Sequence, residues 1–270
     1  MPIHYEKKAD EHVALITIDR PEARNALDMY HFRDLANAWR EVGDDPDVWV
    51  AIITGVPGAF MAGADLKTFI PQVTELQKQI SSGEVDEIDG CRLSDSVDAV
   101  LRTVKLWKPI VAAVDGPCVA GGMEMLGGID IRIATPRASF GVMEPKRGLF
   151  AGGGTTVRLP RQIPFPFAME FLLTAEAFPA ERALQMGLLN EIVEEDALLD
   201  RAFEWAARIT ANAPIAVQAT KESVLRGLKT DMREAFKIES ELSSMVFQTE
   251  DAKEGPKAFA EKRPPVWQAK

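Results

Sequence analysis

The stretch over residues 112–124, AAVDGPCVAGGME, limits the possible folds of this chain more than any other part of it. An apolar run at 110–114 predicts a buried strand, and Asp115-Gly116-Pro117 ends that strand in a sharp turn. Gly121-Gly122 then begins a helix with Glu124 in its first turn. Glycine lets a ligand approach the backbone, and a helix start offers free N–H donors. The stretch predicts either a place where a negative oxygen is held beside a carboxylate, or a turn shaped only for packing.

Two further stretches repeat this arrangement of strand, glycine-rich turn and helix. The apolar strand at 48–54 leads into such a turn and then into a helix near Asp65, and segment 140–154 places Glu144 beside another glycine-rich helix start. Two N–H donors from separate loops are what an oxyanion hole requires. Two carboxylates beside two donor turns favour proton transfer on a carbonyl compound.

Strand and helix patterns alternate over most of the chain, which is typical of an α/β protein. Near residues 195–200 the pattern changes to helices only, so we predict a catalytic domain over 1–197 and a helical C-terminal region over 198–270. The predicted strands are 12–19, 48–54, 110–115, 129–134 and 190–193, and the longest predicted helices are 94–107, 198–211, 214–228 and 232–247.

Charge and composition exclude several classes of function. The net charge of −10 disfavours non-specific nucleic-acid binding, because contacts with phosphates need a basic surface. Cys91 and Cys118 have no metal-ligand spacing, which favours a reducing, cytoplasmic location. No apolar run approaches the roughly 20 residues that span a membrane, and the polar N-terminal residues do not resemble a signal peptide. The phosphate-loop, GxGxxG and GxSxG motifs are absent.

Together, five segments resemble the enoyl-CoA hydratase/isomerase (crotonase) superfamily over essentially the whole chain. Of these five segments, the two over residues 138–161 and 254–267 are especially similar to the carnitinyl-CoA dehydratase branch of the superfamily. The resemblance implies a crotonase-like spiral of ββα units with a helical C-terminal oligomerisation region, assembled as homotrimers or hexamers. The segments are IDRPEARNAL (18–27), GAFMAGADLK (58–67), AAVDGPCVAGGMEM (112–125), ASFGVMEPKRGLFAGGGTTVRLPR (138–161) and EGPKAFAEKRPPVW (254–267).

The same resemblance implies roles for individual residues. The N–H groups of Ala64 and Gly121 would form the oxyanion hole, Glu124 and Glu144 would be the catalytic carboxylates, and Gly152 would lend an N–H to the reacting group or water. Coenzyme A would enter as part of the substrate, with no metal or redox cofactor. The residues expected to bind the substrate and its coenzyme A are Arg24, Ala62, Asp65 and Leu66, with Phe259 and Lys262 reaching a neighbouring subunit's coenzyme A.

Glu144 would have to carry a proton for part of the reaction. A pocket of Phe140, Met143 and Leu149 is expected to raise its pKa by desolvation. The family more usually has a proline directly before this glutamate. Here Met143 precedes it and Pro145 follows it, which leaves the pose of the carboxyl group open.

The presence of both glutamates favours a hydratase that adds water across the 2,3-double bond of a 2-enoyl-CoA thioester. The alternatives within the family are a carnitinyl-CoA dehydratase-type activity, or an isomerase, hydrolase or decarboxylase that uses the same oxyanion hole. A non-enzymatic alternative is an acyl-CoA-binding subunit. A site without catalytic activity would be free to lose Glu124 or Glu144, and this chain has kept both.

The segment between Asp65 and Lys108 is longer than in short family members. Its apolar residues follow approximate helical spacing, with a possible break at Pro71, and residues 81–90 form an acidic stretch. One hypothesis is a surface insertion without functional effect. The other is a wall of the acyl pocket, with Phe69 and Ile70 facing the substrate and the acidic stretch as its mobile rim.

Overall fold

The five predicted strands all belong to one six-stranded sheet, whose remaining strand was not predicted, and a second sheet of three strands lies beside it. The computed structural model describes residues 2–83 and 86–270. The strands are β1 (Ile3–Lys8), β2 (Val13–Ile18), β3 (Val50–Gly55), β4 (Ile110–Val114), β5 (Pro117–Val119), β6 (Ile131–Ala134), β7 (Ser139–Gly141), β8 (Phe178–Pro179) and β9 (Glu191–Ile192).

Helices surround the sheets and make up the C-terminal part of the chain. Within the described residues, no helix is both long enough and apolar enough to cross a bilayer. The helices are α1 (Met29–Asp44), α2 (Phe69–Ser82), α3 (Asp95–Ala99), α4 (Gly121–Leu126), α5 (Thr155–Gln162), α6 (Phe165–Thr174), α7 (Ala180–Gln185), α8 (Leu198–Thr210), α9 (Pro214–Gly227), α10 (Met232–Val246) and α11 (Asp251–Glu261).

The larger sheet has the order β1-β2-β3-β4-β6-β9, and it is parallel except for the antiparallel pair β1-β2. Its inner strands read as continuous apolar runs because helices or the second sheet cover both faces. Edge strand β1, with the sequence IHYEKK, has no such run. It was therefore missing from the prediction.

The ββα unit appears where the chain leaves one sheet for the other. After β4 the chain turns at Gly116 into β5 and then α4, and after β6 it turns into β7 and a short 3-10 helix at Glu144–Arg147. Strands β5 and β7 pair in parallel, with Val119 opposite Gly141. The segments carrying Glu124 and Glu144 therefore leave neighbouring strands at the same edge of the small sheet.

Helix α8 packs on the larger sheet instead of projecting away from it. Its residues Ala202 and Ala206 belong to one core cluster with residues of β2, β3, β4 and β6, including Val111 and Ile133. The larger sheet therefore covers this face of α8. Residues of α9 and α10 pack in a cluster of their own, and the division of the chain at residue 198 stays a prediction.

The predicted helix 94–107 is also wrong beyond its first turn. Helix α3 ends at Ala99, and Leu101 adopts a left-handed conformation with φ of 59°. Val100 and Leu101 are buried, so the apolar spacing correctly indicated burial. Their carbonyl oxygens accept hydrogen bonds from Arg158 and are not used to continue a helix.

The long segment after Asp65 packs against α1. Helix α2 is continuous, because Pro71 lies in its first turn, where a backbone N–H has no helical partner. Leu76 of this helix is buried with Met29 and Cys91. Residues 84 and 85 of the predicted acidic rim lie outside the described residues, and Asp89 beyond them accepts a hydrogen bond from Tyr30.

Candidate active site

The first glycine-rich loop is joined to the second by backbone hydrogen bonds. Met61 N–H donates to the Pro117 carbonyl, and Val119 N–H donates to the Met61 carbonyl, both at 3.0 Å. Gly63 has φ of 90°, and a Cβ atom there would lie 2.8 Å from Ala120 Cβ and 2.9 Å from the Gly121 nitrogen. Only glycine allows this close contact between the loops.

The contact brings two backbone donors into one place. Two backbone hydrogen bonds next to these donors join the first loop to the residues just before α1. Leu27 N–H donates to Gly63 O, and Asp65 N–H donates to Leu27 O. The N–H groups of Ala64 and Gly121 have no acceptor within the described part of the chain. Both residues line the same cavity, so two unused donors are available there to a negative oxygen.

The segment IDRPEARNAL supports the first loop from behind. Asn25 is fully buried, and its side-chain amide donates to the carbonyls of Ala59 (2.7 Å) and Ile18 (3.0 Å). Arg20 pairs with Asp65 at 3.2 Å. Arg24 is exposed and lies outside the cavity lining. This segment therefore acts on the site through Asn25 and Arg20, while the predicted coenzyme A role of Arg24 stays a prediction.

The cavity has a volume of about 480 Å³ and a mainly apolar wall. Seven of the predicted site residues line it: Ala62, Ala64, Leu66, Phe69, Gly121, Glu124 and Glu144. The remaining lining residues are Phe32, Ile70, Ser96, Val97, Val100, Val119, Ala120, Met143, Arg147, Leu149, Phe150 and Gly153.

Glu124 is buried at the inner end of the cavity. One of its carboxylate oxygens accepts a hydrogen bond from the Gly153 N–H. Burial raises its pKa to about 7, the Gly153 hydrogen bond opposes this rise, and the charge of Glu144 adds to it. A carboxyl group with such a pKa can accept and return a proton near neutral pH.

Glu144 faces the same cavity and is half-buried. Desolvation raises its pKa, and nearby backbone N–H groups partly oppose that rise. Its Oε2 atom is buried, with no hydrogen-bond partner in the described residues. Pro145 occupies the first turn of the 3-10 helix, where proline is well tolerated. The order Met-Glu-Pro therefore still directs the carboxyl group into the cavity.

The apolar surroundings of Glu144 differ in one respect from the prediction. Met143 and Leu149 line the cavity as expected, but Phe140 is buried inside β7 and does not. Phe150, which was not predicted, lines the cavity instead. Strand alternation explains the difference, because β7 directs Phe140 into the core.

The structure places Gly153, and not Gly152, against Glu124. A Cβ atom at Gly153 would overlap the Glu124 carboxylate, whereas Gly152 is exposed and outside the cavity lining. The glycine run was visible in the sequence, but nothing in it indicated that Gly153 contacts Glu124. The proposed contact of Gly152 with the reacting group or water stays a prediction.

The two C-terminal site residues lie away from this cavity. Phe259 on α11 has 88% of its surface exposed, and Lys262 is the left-handed cap of that helix. Neither lines the cavity of its own chain. Their predicted contact with a neighbouring subunit's coenzyme A is not visible in a single chain.

Comparison with known proteins gives matches over nearly the whole length. A family model described as "Enoyl-CoA hydratase/isomerase" matches residues 8–270. Enoyl-CoA hydratase EchA19 of Mycobacterium tuberculosis is 43% identical over 257 residues, covering 95% of this chain and 93% of that protein. Carnitinyl-CoA dehydratase of Citrobacter koseri is 35% identical over 260 residues, covering 94% of each.

A solved structure extends this likeness to three dimensions. The crystal structure of an enoyl-CoA hydratase from Mycobacterium tuberculosis H37Rv matches with a TM-score of 0.85 and 38% sequence identity. The match covers 100% of this chain and 99% of that one. The aligned region therefore includes the residues of both sheets, of the cavity lining and of the C-terminal helices.

Proposed function

This chain belongs to the enoyl-CoA hydratase/isomerase family, and from that premise we propose that it adds water reversibly across the 2,3-double bond of a 2-enoyl-CoA thioester. One observation carries the proposal. The carboxyl groups of Glu124 and Glu144 and the unused N–H groups of Ala64 and Gly121 line one cavity. This is the set of groups that the hydration of an enoyl thioester needs.

The two N–H groups act on the thioester oxygen. As water attacks C3, negative charge moves onto that oxygen and gives an enolate-like transition state. Ala64 and Gly121 donate to it, and because their loops are held rigidly by the Met61 and Gly63 contacts, they need little reorganisation. One such donor contributes about 3 kcal/mol to the stabilisation of the transition state.

The two carboxyl groups move the protons. Glu124, in its ionised form, removes a proton from water as the new C3–O bond forms. Glu144, in its protonated form, delivers a proton to C2, which requires its raised pKa. In the reverse direction each group performs the opposite transfer.

The proposal is tested by adding purified protein to crotonyl-CoA and following the absorbance of the enoyl thioester. We expect the absorbance to fall to an equilibrium value, and the same value to be reached from the 3-hydroxyacyl-CoA side. A thiol reagent added in parallel should detect no free coenzyme A. Unchanged absorbance with crotonyl-CoA and with longer 2-enoyl-CoA substrates would contradict the proposal.

The alternatives differ in what they predict for this assay. An isomerase would convert a 3-enoyl-CoA into a 2-enoyl-CoA without adding water, and a hydrolase would release free thiol. An acyl-CoA-binding subunit would bind without turnover. Dehydration of a carnitinyl-type substrate would use the same two carboxyl groups. This second candidate is supported by the resemblance of segments 138–161 and 254–267 and by the 35% identity to a carnitinyl-CoA dehydratase, against 43% to a hydratase.

Phe69 and Ile70 are expected to select the acyl group. Both line the cavity from the first turn of α2, so the pocket-wall hypothesis for the long segment has direct support. Removing one of these side chains enlarges the pocket. Each methylene-sized contact that is gained or lost changes the discrimination between acyl groups by about 1–3 kcal/mol. We expect Phe69→Ala and Ile70→Ala to raise kcat/KM for longer 2-enoyl-CoA substrates relative to crotonyl-CoA.

Ile80→Ala is the matched control for these two variants. Ile80 lies on the same helix but packs in the small cluster around Leu76, outside the cavity lining. Its substitution should leave the chain-length profile unchanged. If the Phe69 and Ile70 variants also leave that profile unchanged, the segment acts only as a surface insertion.

We further propose that the chain forms a homotrimer or a hexamer through its C-terminal helices. Support comes from the large apolar side chains that α9–α11 leave exposed: Val224, Leu228, Met232, Phe236, Phe247 and Phe259. Isolated apolar residues are normal on a surface, but a concentration on three successive helices is typical of an interface. A monomeric mass by light scattering at micromolar concentration would contradict the proposal.

A cytoplasmic location is proposed from cysteine usage alone.

A further inference from the structure

Arg158 is a half-buried cation that the reaction described above does not use. It lies on α5, one turn after the glycine run that contacts Glu124. Within residues 2–83 and 86–270 it has no ion-pair partner, and its guanidinium group donates only to backbone carbonyls. A buried charge without a counter-ion is unfavourable, so its position requires an explanation.

The contacts of Arg158 join the two sides of the cavity. Its Nη1 atom donates to Glu124 O and to Val100 O, each at 3.3 Å, and its Nη2 atom donates to Leu101 O. The Glu124 carbonyl belongs to the last turn of a short helix and lacks a helical partner. One guanidinium group therefore links the backbone of a catalytic carboxylate to the wall residue Val100.

Glycines leave room for this guanidinium group. A Cβ atom at Gly128 would lie 3.0 Å from Arg158 Nη1, and one at Gly127 would lie 3.3 Å from Arg158 Cδ. Gly154, with φ of 125°, borders the group from the other side. These glycines thus leave a space next to the Glu124 backbone, separate from the substrate cavity, that one planar guanidinium group fills.

We infer that Arg158 is a positioning residue for Glu124, which both fixes the backbone of that glutamate and favours its ionised form for the removal of a proton from water. The inference rests on the proposed function for its catalytic consequence. The charged groups around Glu124 are Glu144 from the 3-10 helix, Arg102 from the segment after α3, and Arg158 from α5.

The electrostatic relation between the two residues is reciprocal. Burial lowers the pKa of Arg158, the Glu124 charge raises it, and Arg102 lowers it. Arg102 and Arg158 both oppose the rise in the pKa of Glu124 that burial causes. Arg102 is exposed, so solvent and salt screen its effect, whereas the half-buried Arg158 is screened less.

The test compares Arg158→Gln, Arg158→Lys and the control Arg161→Gln across pH. Arg161 is the next arginine along α5, and its side chain donates, among the residues that the structure describes, only to Val157 O of the same helix. In Arg158→Gln the pKa of Glu124 should rise above about 7, so the acid limb of kcat/KM moves to higher pH. A rise of about 1 would lower activity at pH 7 by about fivefold, and the loss would disappear at high pH.

Arg158→Lys keeps the charge but loses the planar guanidinium group, whose several N–H donors reach more than one carbonyl at once. It should lower kcat with little change in KM and leave the acid limb in place, and Arg161→Gln should match the wild type. A loss that is uniform across pH in Arg158→Gln would overturn the inference. If that variant does not fold, a displaced acid limb or a changed KM in Arg158→Lys would overturn it. An equal displacement of the acid limb in Arg102→Gln at high salt would also overturn the inference.

A second readout does not depend on turnover. The carboxyl ¹³C resonance of Glu124, assigned with Glu124→Gln, should titrate at higher pH in Arg158→Gln than in the wild type. If the wild type hydrates no 2-enoyl-CoA, the proposed function fails and this titration alone decides the inference. If the wild type is active but the resonance titrates unchanged in Arg158→Gln, only the inference fails.

Discussion

Glu144→Gln is expected to lower kcat for hydration by about 100-fold or more, and Glu124→Gln by a similar factor, because a positioned proton donor or acceptor contributes about that much. Glutamine fills nearly the same space but cannot exchange a proton with water or C2. Binding should survive, since other residues are expected to hold coenzyme A and the acyl group. The measurement is kcat with crotonyl-CoA, together with the Kd of a saturated acyl-CoA by calorimetry.

Glu181→Gln is the matched control for both substitutions. Glu181 is exposed on α7 and is not among the residues that line the cavity, so the same chemical change there should leave kcat unaltered. Near wild-type turnover in either active-site variant would contradict the mechanism with two glutamates. Loss of acyl-CoA binding together with kcat would instead indicate that the substitution disturbs the cavity.

Gly63→Ala is expected to lower kcat by about 100-fold, the effect of losing one oxyanion donor. The new Cβ would lie 2.8 Å from Ala120 Cβ and 2.9 Å from the Gly121 nitrogen. One of the two loops must therefore move, and the N–H groups of Ala64 and Gly121 can no longer meet at one oxygen. The measurement is kcat with crotonyl-CoA, since the donors act mainly in the transition state.

Gly58→Ala separates this geometric effect from backbone strain. Gly58 has φ of 83°, similar to the 90° of Gly63, but a Cβ there would meet no atom of the described residues within 4 Å. Gly58→Ala should lower thermal stability, as we also expect for Gly63→Ala, while kcat stays within a few fold of wild type. An equal loss of kcat in the two variants would mean that strain in the loop, and not the donor geometry, explains the effect.

The residues at the centre of the candidate site stood out in the sequence, because glycines and carboxylates there have few structural alternatives. The strand–turn–helix stretches pointed to the glycine-rich loops and to Glu124 and Glu144, and the family resemblance added Ala64 and Gly121. All four residues line one cavity, while their catalytic roles stay a prediction. The α/β spiral fold class and the family resemblance are confirmed by the family model and the solved structure. These features are local in sequence, so a short pattern is sufficient to specify them.

Features that depend on distant contacts were not predictable. Helix α3 stops at Ala99 because Arg158, 58 residues along the chain from Val100, binds the carbonyls that a longer helix would use. The packing of α8 on the larger sheet could not be predicted, because periodicity shows that a face is buried but not by what. The contact of Gly153 with Glu124 was not predictable for the same reason, since it joins residues 29 positions apart in the chain.

The most direct test of the central claim is hydration of crotonyl-CoA in ¹⁸O-labelled water, with the product analysed by mass spectrometry. The account predicts an intact coenzyme A thioester that carries one labelled oxygen in a hydroxyl group at C3. A labelled free carboxylic acid with released coenzyme A, or recovery of only unlabelled enoyl thioester, would contradict it.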